Sequence, residues 1–150
     1  DEIYDAMFRQ GYEEFLAWMP SDEVTSTSGP ERARALAHRF FLFCTSDPVR
    51  YQLLFLRTIP GFVPSAESYA LAVTAIEALN DDLAGIGITD PAAADLATAV
   101  FTGLATQQIA NDPGGTRWLR LVDRAASMLL TELAPDQLTT APAHRRKART

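Results

Sequence analysis

Apolar residues recur along this chain in steps of three and four, and six segments follow that helical rhythm. Residues 2–19 set Tyr4, Phe8, Tyr12, Phe15 and Met19 on one face, with Asp5, Arg9, Glu13 and Glu14 elsewhere. Further helices are predicted over 30–45, 48–58, 66–84, 91–111 and 116–133. Three of them open with proline directly after a capping position, at Gly29-Pro30, Asp47-Pro48 and Asp90-Pro91. Proline supplies the φ of the first turn, and the residue before it can satisfy free N–H groups. Ser65 caps the 66–84 helix, Gly85 and Gly87 end it, and Asn111-Asp112-Pro113-Gly114-Gly115 breaks the chain between the final two helices. Pro135 stops the last one. Residues 21–29, polar and without periodicity, form a surface loop, and Pro60-Gly61-Phe62-Val63-Pro64 is a stiff loop with Phe62 at its tip. No alternating run rich in β-branched residues occurs between turn signals, so the expected fold class is all-α, with about six helices.

The last two helices are apolar around most of their circumference. Over 91–111 the polar residues Asp95, Thr98, Thr102 and Thr106 make one thin line, and over 116–133 Arg117, Arg120, Arg124, Ser127 and Thr131 do the same. An ordinary surface helix needs one apolar stripe roughly 100° wide. Two outcomes suit the excess: a helix pair buried at the centre of one chain, or an interface with a second copy, since two-fold homodimers are the commonest soluble oligomers. On the dimer reading the contact residues of the second helix would be Trp118, Leu121, Val122, Ala125 and Leu129.

With 150 residues and 47% apolar composition the chain suits one domain, expected over 1–134, followed by a basic, disordered tail over 135–150. The net charge of −6 divides into +3 on that tail and −9 on the body, which excludes a body that grips nucleic acid through a basic stripe. No apolar run has the length of a membrane span and no secretory signal pattern opens the chain, so the expectation is a cytoplasmic protein without a membrane partner. The chain begins at Asp1 already inside a helical pattern, and a segment upstream is expected.

Catalytic chemistry is poorly supplied. The histidines are His38 and His144, the lone cysteine is Cys44 on an apolar face, and the acidic pairs Glu13-Glu14 and Asp81-Asp82 diverge around their helices. No catalytic residue, metal site or cofactor is predicted. Aromatic side chains are plentiful instead, and Phe8, Tyr12, Phe15, Phe40, Tyr51, Phe55, Phe62, Tyr69 and Phe101 come from six segments. Small-molecule sites are apolar and aromatic with a few placed polar groups. These rings are therefore candidate ligand-binding residues, together with Cys44 beside Phe40 and with Thr102 and Gln108 as polar anchors; the competing reading is a plain aromatic core.

The order of segments resembles the C-terminal ligand-binding and dimerisation domain of TetR-type transcriptional regulators over nearly all of residues 1–134. DEIYDAMFRQGYEEFL looks like the connecting helix that follows that family's DNA-binding head, SDPVRYQLLF like its short middle helix, and GLATQQIANDPGGTRWLRLVDRAASMLL like its last two helices. The resemblance implies a homodimer whose final helix pairs form a four-helix bundle with the second copy, Ala99, Gly103 and Ala105 letting the helices approach closely, and a small apolar or aromatic effector in the core. It also implies DNA binding only through a helix-turn-helix head that has no counterpart in this sequence. The alternative is a stand-alone helical dimer acting as a small-molecule or protein interaction module.

Overall fold

The computed structural model describes residues 2–19 and 28–139. It is all-α, with six helices and no strand among the described residues. They are α1 (Glu2–Trp18), α2 (Gly29–Ser46), α3 (Pro48–Tyr51, running on into a π-helical turn Gln52–Leu56), α4 (Ala66–Ala84), α5 (Pro91–Asn111) and α6 (Val122–Leu133). A single turn, Asp136–Thr139, follows. Residues 21–27 of the loop predicted over 21–29, and residues 140–150 of the tail predicted over 135–150, lie outside the described residues.

Most helix starts fall where proline and its preceding cap place them. Asp47 accepts the N–H groups of Val49 and Arg50, each at 3.0 Å, and Ser65 accepts that of Ser68 at 3.2 Å. The last helix is the exception. The sequence pattern puts its start at residue 116, whereas regular helix begins at Val122 after a 3-10 turn, Leu119–Leu121. The reason is chemical: the amides of Trp118 and Leu119 are taken by Gln108 Oε1, at 2.9 and 3.3 Å, and that of Arg117 by Asp112 Oδ2 at 2.8 Å. Side chains from the end of α5 thus hold the connecting segment open.

The central helix is α2, which packs against α5, α6 and α1. It buries Ala33, Ala37, Phe40, Phe41, Phe43 and Cys44. Its polar residues are tied down by neighbours: Arg32 pairs with Asp82 at 3.1 Å, His38 Nε2 lies 2.9 Å from Asp123 Oδ1, and an Arg39 N–H donates to the Trp18 carbonyl. His38, partly exposed, links α2 to α6. Phe15 sits amid the rings of Phe40, Phe43 and Phe55, with centroids 6.2, 5.0 and 6.1 Å away. Edge contacts of this kind suit the aromatic quadrupole.

Buried side chains form two clusters. The larger gathers around α1, α2 and the α3 region; the smaller joins Ala33, Leu83, Ile86, Ile88, Ala93, Leu130 and Ala134 at the far end. Leu79 of α4 touches both. Helix α4 packs mainly on α1, where Asp5 accepts hydrogen bonds from the Ser65 amide and from the hydroxyls of Ser65 and Ser68. Between α4 and α5 a space remains, and the candidate site lies there.

Candidate functional site

A cleft of about 500 Å³ opens between α1, α4 and the N-terminal half of α5. Tyr12 and Phe15 from α1, Phe40 from α2 and Phe55 from the π-helical turn supply rings to its wall, and Ile76 and Leu79 of α4 face them across the space. A second space of about 490 Å³ shares Tyr12 and Ile76 with the first and continues toward the loop at 59–64, where Phe8, Phe62, Tyr69 and Arg57 line it. On the inner side a small pocket of about 50 Å³ shares Phe40, Leu79, Ile88 and Thr98 with the main cleft and reaches Phe101 and Leu129. That inner pocket is about a tenth the size of the main cleft. The main cleft falls within the roughly 300–1,000 Å³ usual for small-molecule sites.

Local structure explains why these side chains converge. Tyr12 and Phe15 lie one turn apart on the apolar stripe of α1, and Phe8 continues the stripe to the Pro-flanked loop, where the Phe62 ring lies 6.0 Å from that of Phe8 and 5.9 Å from that of Tyr4. The π-helical turn carries Phe55 inward and ends at Arg57, whose φ of 47° is left-handed. The Tyr12 hydroxyl donates to the Leu54 carbonyl at 3.3 Å, and burial pushes its pKa upward, so it stays a neutral donor.

Of the twelve ligand-binding residues expected from sequence, eight line these spaces: Phe8, Tyr12, Phe15, Phe40, Phe55, Phe62, Tyr69 and Phe101. Four lie elsewhere. Cys44 is fully buried in the large cluster, and burial pushes its thiol up to about 12. Tyr51 is also buried, and its hydroxyl bonds to the Thr102 carbonyl at 2.9 Å and to Thr106 Oγ1 at 2.8 Å. The Thr102 hydroxyl donates to the Thr98 carbonyl of its own helix, and Gln108 is committed to the α5–α6 connection. The sequence reading missed Ile76, Leu79, Ile88, Arg57 and the polar rim of Asp81, Asp90, Asp95 and Thr98. The signal that α4 had spare apolar surface was present in Tyr69, Val73 and Ile76, all three exposed on that helix.

The outer face of α5 and α6 is a separate feature. Leu96, Ala99, Gly103 and Leu121 are exposed, Val100 and Ala125 are half-buried, and Met128 is 63% exposed. A methyl group added at Gly103 would meet nothing within 4 Å. Two of the expected interface residues cannot belong to any outer face, since Ala105 and Val122 have no exposure at all within the single chain. Trp118 packs against the large cluster and Leu129 lines the inner pocket. Leu121, Ala125, Ala99 and Gly103 remain on or near the surface.

Comparison with known proteins gives no match: no family model, no curated protein and no solved structure is similar to this chain. The fold and the cleft therefore stand on their own geometry. No described helix is long and apolar enough to cross a membrane.

Proposed function

We propose that this chain is the effector-binding and dimerisation domain of a TetR-like transcriptional regulator. In this reading an apolar or aromatic small molecule occupies the cleft between α1 and α4, two copies pair through the outer faces of α5 and α6, and DNA is contacted by a head domain joined ahead of α1. The observation that carries the reading is that α1 is itself a wall of the cleft through Tyr12 and Phe15, and of the adjoining space through Phe8 and Tyr12. A molecule seated there touches the helix that the family resemblance assigns to the connection with the head. Such a ligand changes DNA affinity only by binding one placement of α1 better than another.

Pairing through α5 and α6 is supported by Gly103. Glycine inside a helix is unfavourable by roughly 0.5–1 kcal/mol relative to alanine. Nothing among the described residues needs the missing methyl group, because the space beside Gly103 is open to them. Close approach of a second helix gives it a purpose.

Titration with the neutral dye Nile red, alongside light scattering of the same samples, tests both halves. Dye fluorescence should rise on binding, and Ile76→Glu should abolish that rise while leaving the dimer intact. Leu121→Arg with Met128→Arg should split the dimer, because the charges would be buried unpaired. Material that scatters as a single copy at high concentration overturns the dimer. Dye binding that survives Ile76→Glu unchanged overturns the cleft as the ligand site.

A further inference from the structure

The walls of the cleft carry one sign of charge. Between Arg57 and Arg117 the sequence contains no lysine, arginine or histidine, yet α4, the following loop and α5 hold Glu67, Glu77, Asp81, Asp82, Asp90 and Asp95. Two of these acids have partners: Glu67 pairs with Arg9 at 3.1 Å and Asp82 with Arg32 at 3.1 Å. Asp81, Asp90 and Asp95 line the mouth of the main cleft, and among the described residues none of the three has an ion-pair partner. Asp90 stands at the N-cap position of α5, where the helix dipole favours negative charge although its side chain makes no capping hydrogen bond, so Asp81 and Asp95 are the less compensated carboxylates. Behind them stand the rings of Tyr12, Phe15, Phe40 and Phe55.

Resting on the cleft reading above, we propose that the occupant is an amphiphilic organic cation, with its apolar body against the aromatic wall and its positive group at the Asp81–Asp95 mouth. Two physical terms favour this class. The carboxylates attract the charge in a recess with low-dielectric walls, where field lines are focused. The rings of the wall match the apolar body of such a molecule. A fatty carboxylate placed the same way round would meet like charge, and a neutral molecule would leave the carboxylates idle. Among the described residues Arg57 is the cation that lines the two spaces, in the second one beyond Ile76 and Tyr12, and Arg32, beside Gly85, is engaged by Asp82.

The test uses three ten-carbon probes below their micelle concentrations, competing with Nile red on the full chain: decyltrimethylammonium, 1-decanol and decanoate. The ammonium should displace the dye at a concentration about tenfold or more below that needed for decanoate, with decanol between them. In the double variant Asp81→Asn/Asp95→Asn the preference for the ammonium should shrink toward that of decanol, while decanol itself displaces as before. Glu13→Gln/Glu132→Gln, equal in charge but away from the cleft, should keep the preference. Decanoate binding as well as the ammonium overturns the inference, as does a preference lost equally in both double variants. Either result leaves the cleft reading standing if decanol still competes. Failure of all three probes to displace the dye overturns both.

Discussion

The two sides of the molecule are packed in different ways. On one side α2, α5 and α6 enclose Cys44, Ala105 and Val122 without any exposure, and buried hydroxyls and amides find partners across helices. On the other, α4 rests chiefly on α1, keeps Ile76 at 56% exposure, and faces open volume where a helix partner would otherwise be. The dense side is where side-chain shape decides stability. The loose side keeps apolar residues available for something other than folding.

Mutations on the two sides should separate these roles. Phe41→Ala, in the dense core at 1% exposure, should cost roughly 3–5 kcal/mol of unfolding free energy in urea titration. Gln108→Ala, at the dense end of α5, leaves the Trp118 and Leu119 amides without their acceptor. It should cost about 1–3 kcal/mol by the same measurement, and amide exchange at those two residues should accelerate.

A smaller effect depends on pH. The Ser65 amide and the hydroxyls of Ser65 and Ser68 hold the Asp5 carboxyl below its ordinary 3.8. A carboxyl lowered by folding contributes stability that is fully present above its unfolded value and is lost as pH falls through the lower folded value. Asp5→Asn should therefore lose this contribution at neutral pH and flatten the acid limb below about pH 4, so that its stability curve meets that of the wild type in acid. Asp112, lowered chiefly by the Arg117 amide, makes the corresponding contribution on the dense side, and Asp112→Asn should flatten the same limb. Curves that keep the wild-type shape in both variants would remove this linkage. Least of all, Ile76→Ala on the loose side should change unfolding free energy by under about 0.5 kcal/mol, yet weaken Nile red binding. A loss as large as that of Phe41→Ala would show α4 to be as tightly integrated as α2.

Much of this was legible before any coordinates. Proline with its cap announces α2, α3 and α5, Ser65 announces α4, and the aromatic stripe of α1 announces which face turns inward. The central position of α2 was harder to see. Arg32, Arg34, His38 and Arg39 make that helix look half-exposed, and only Asp82, Asp123 and the Trp18 carbonyl, 50, 85 and 21 residues away in sequence, explain how three of them pack so close to the core. The site was legible in part for the same reason. Large rings advertise themselves, but Tyr51 and Phe55, one turn apart, have opposite fates: the first is locked to Thr102 and Thr106, the second reaches the cleft.

Periodicity and capping are local properties, set by residues within a turn of one another, and from them the chain's own order of amino acids determined an all-helical fold and the inward face of each amphipathic helix. Which apolar faces meet, and which are left facing a cleft or the outside, depends on contacts between residues far apart along the chain. Tertiary packing alone decided that Ala105 and Val122 close the core, that Gly103 stays open, and that three carboxylates without an ion-pair partner among the described residues gather where four rings from three segments converge.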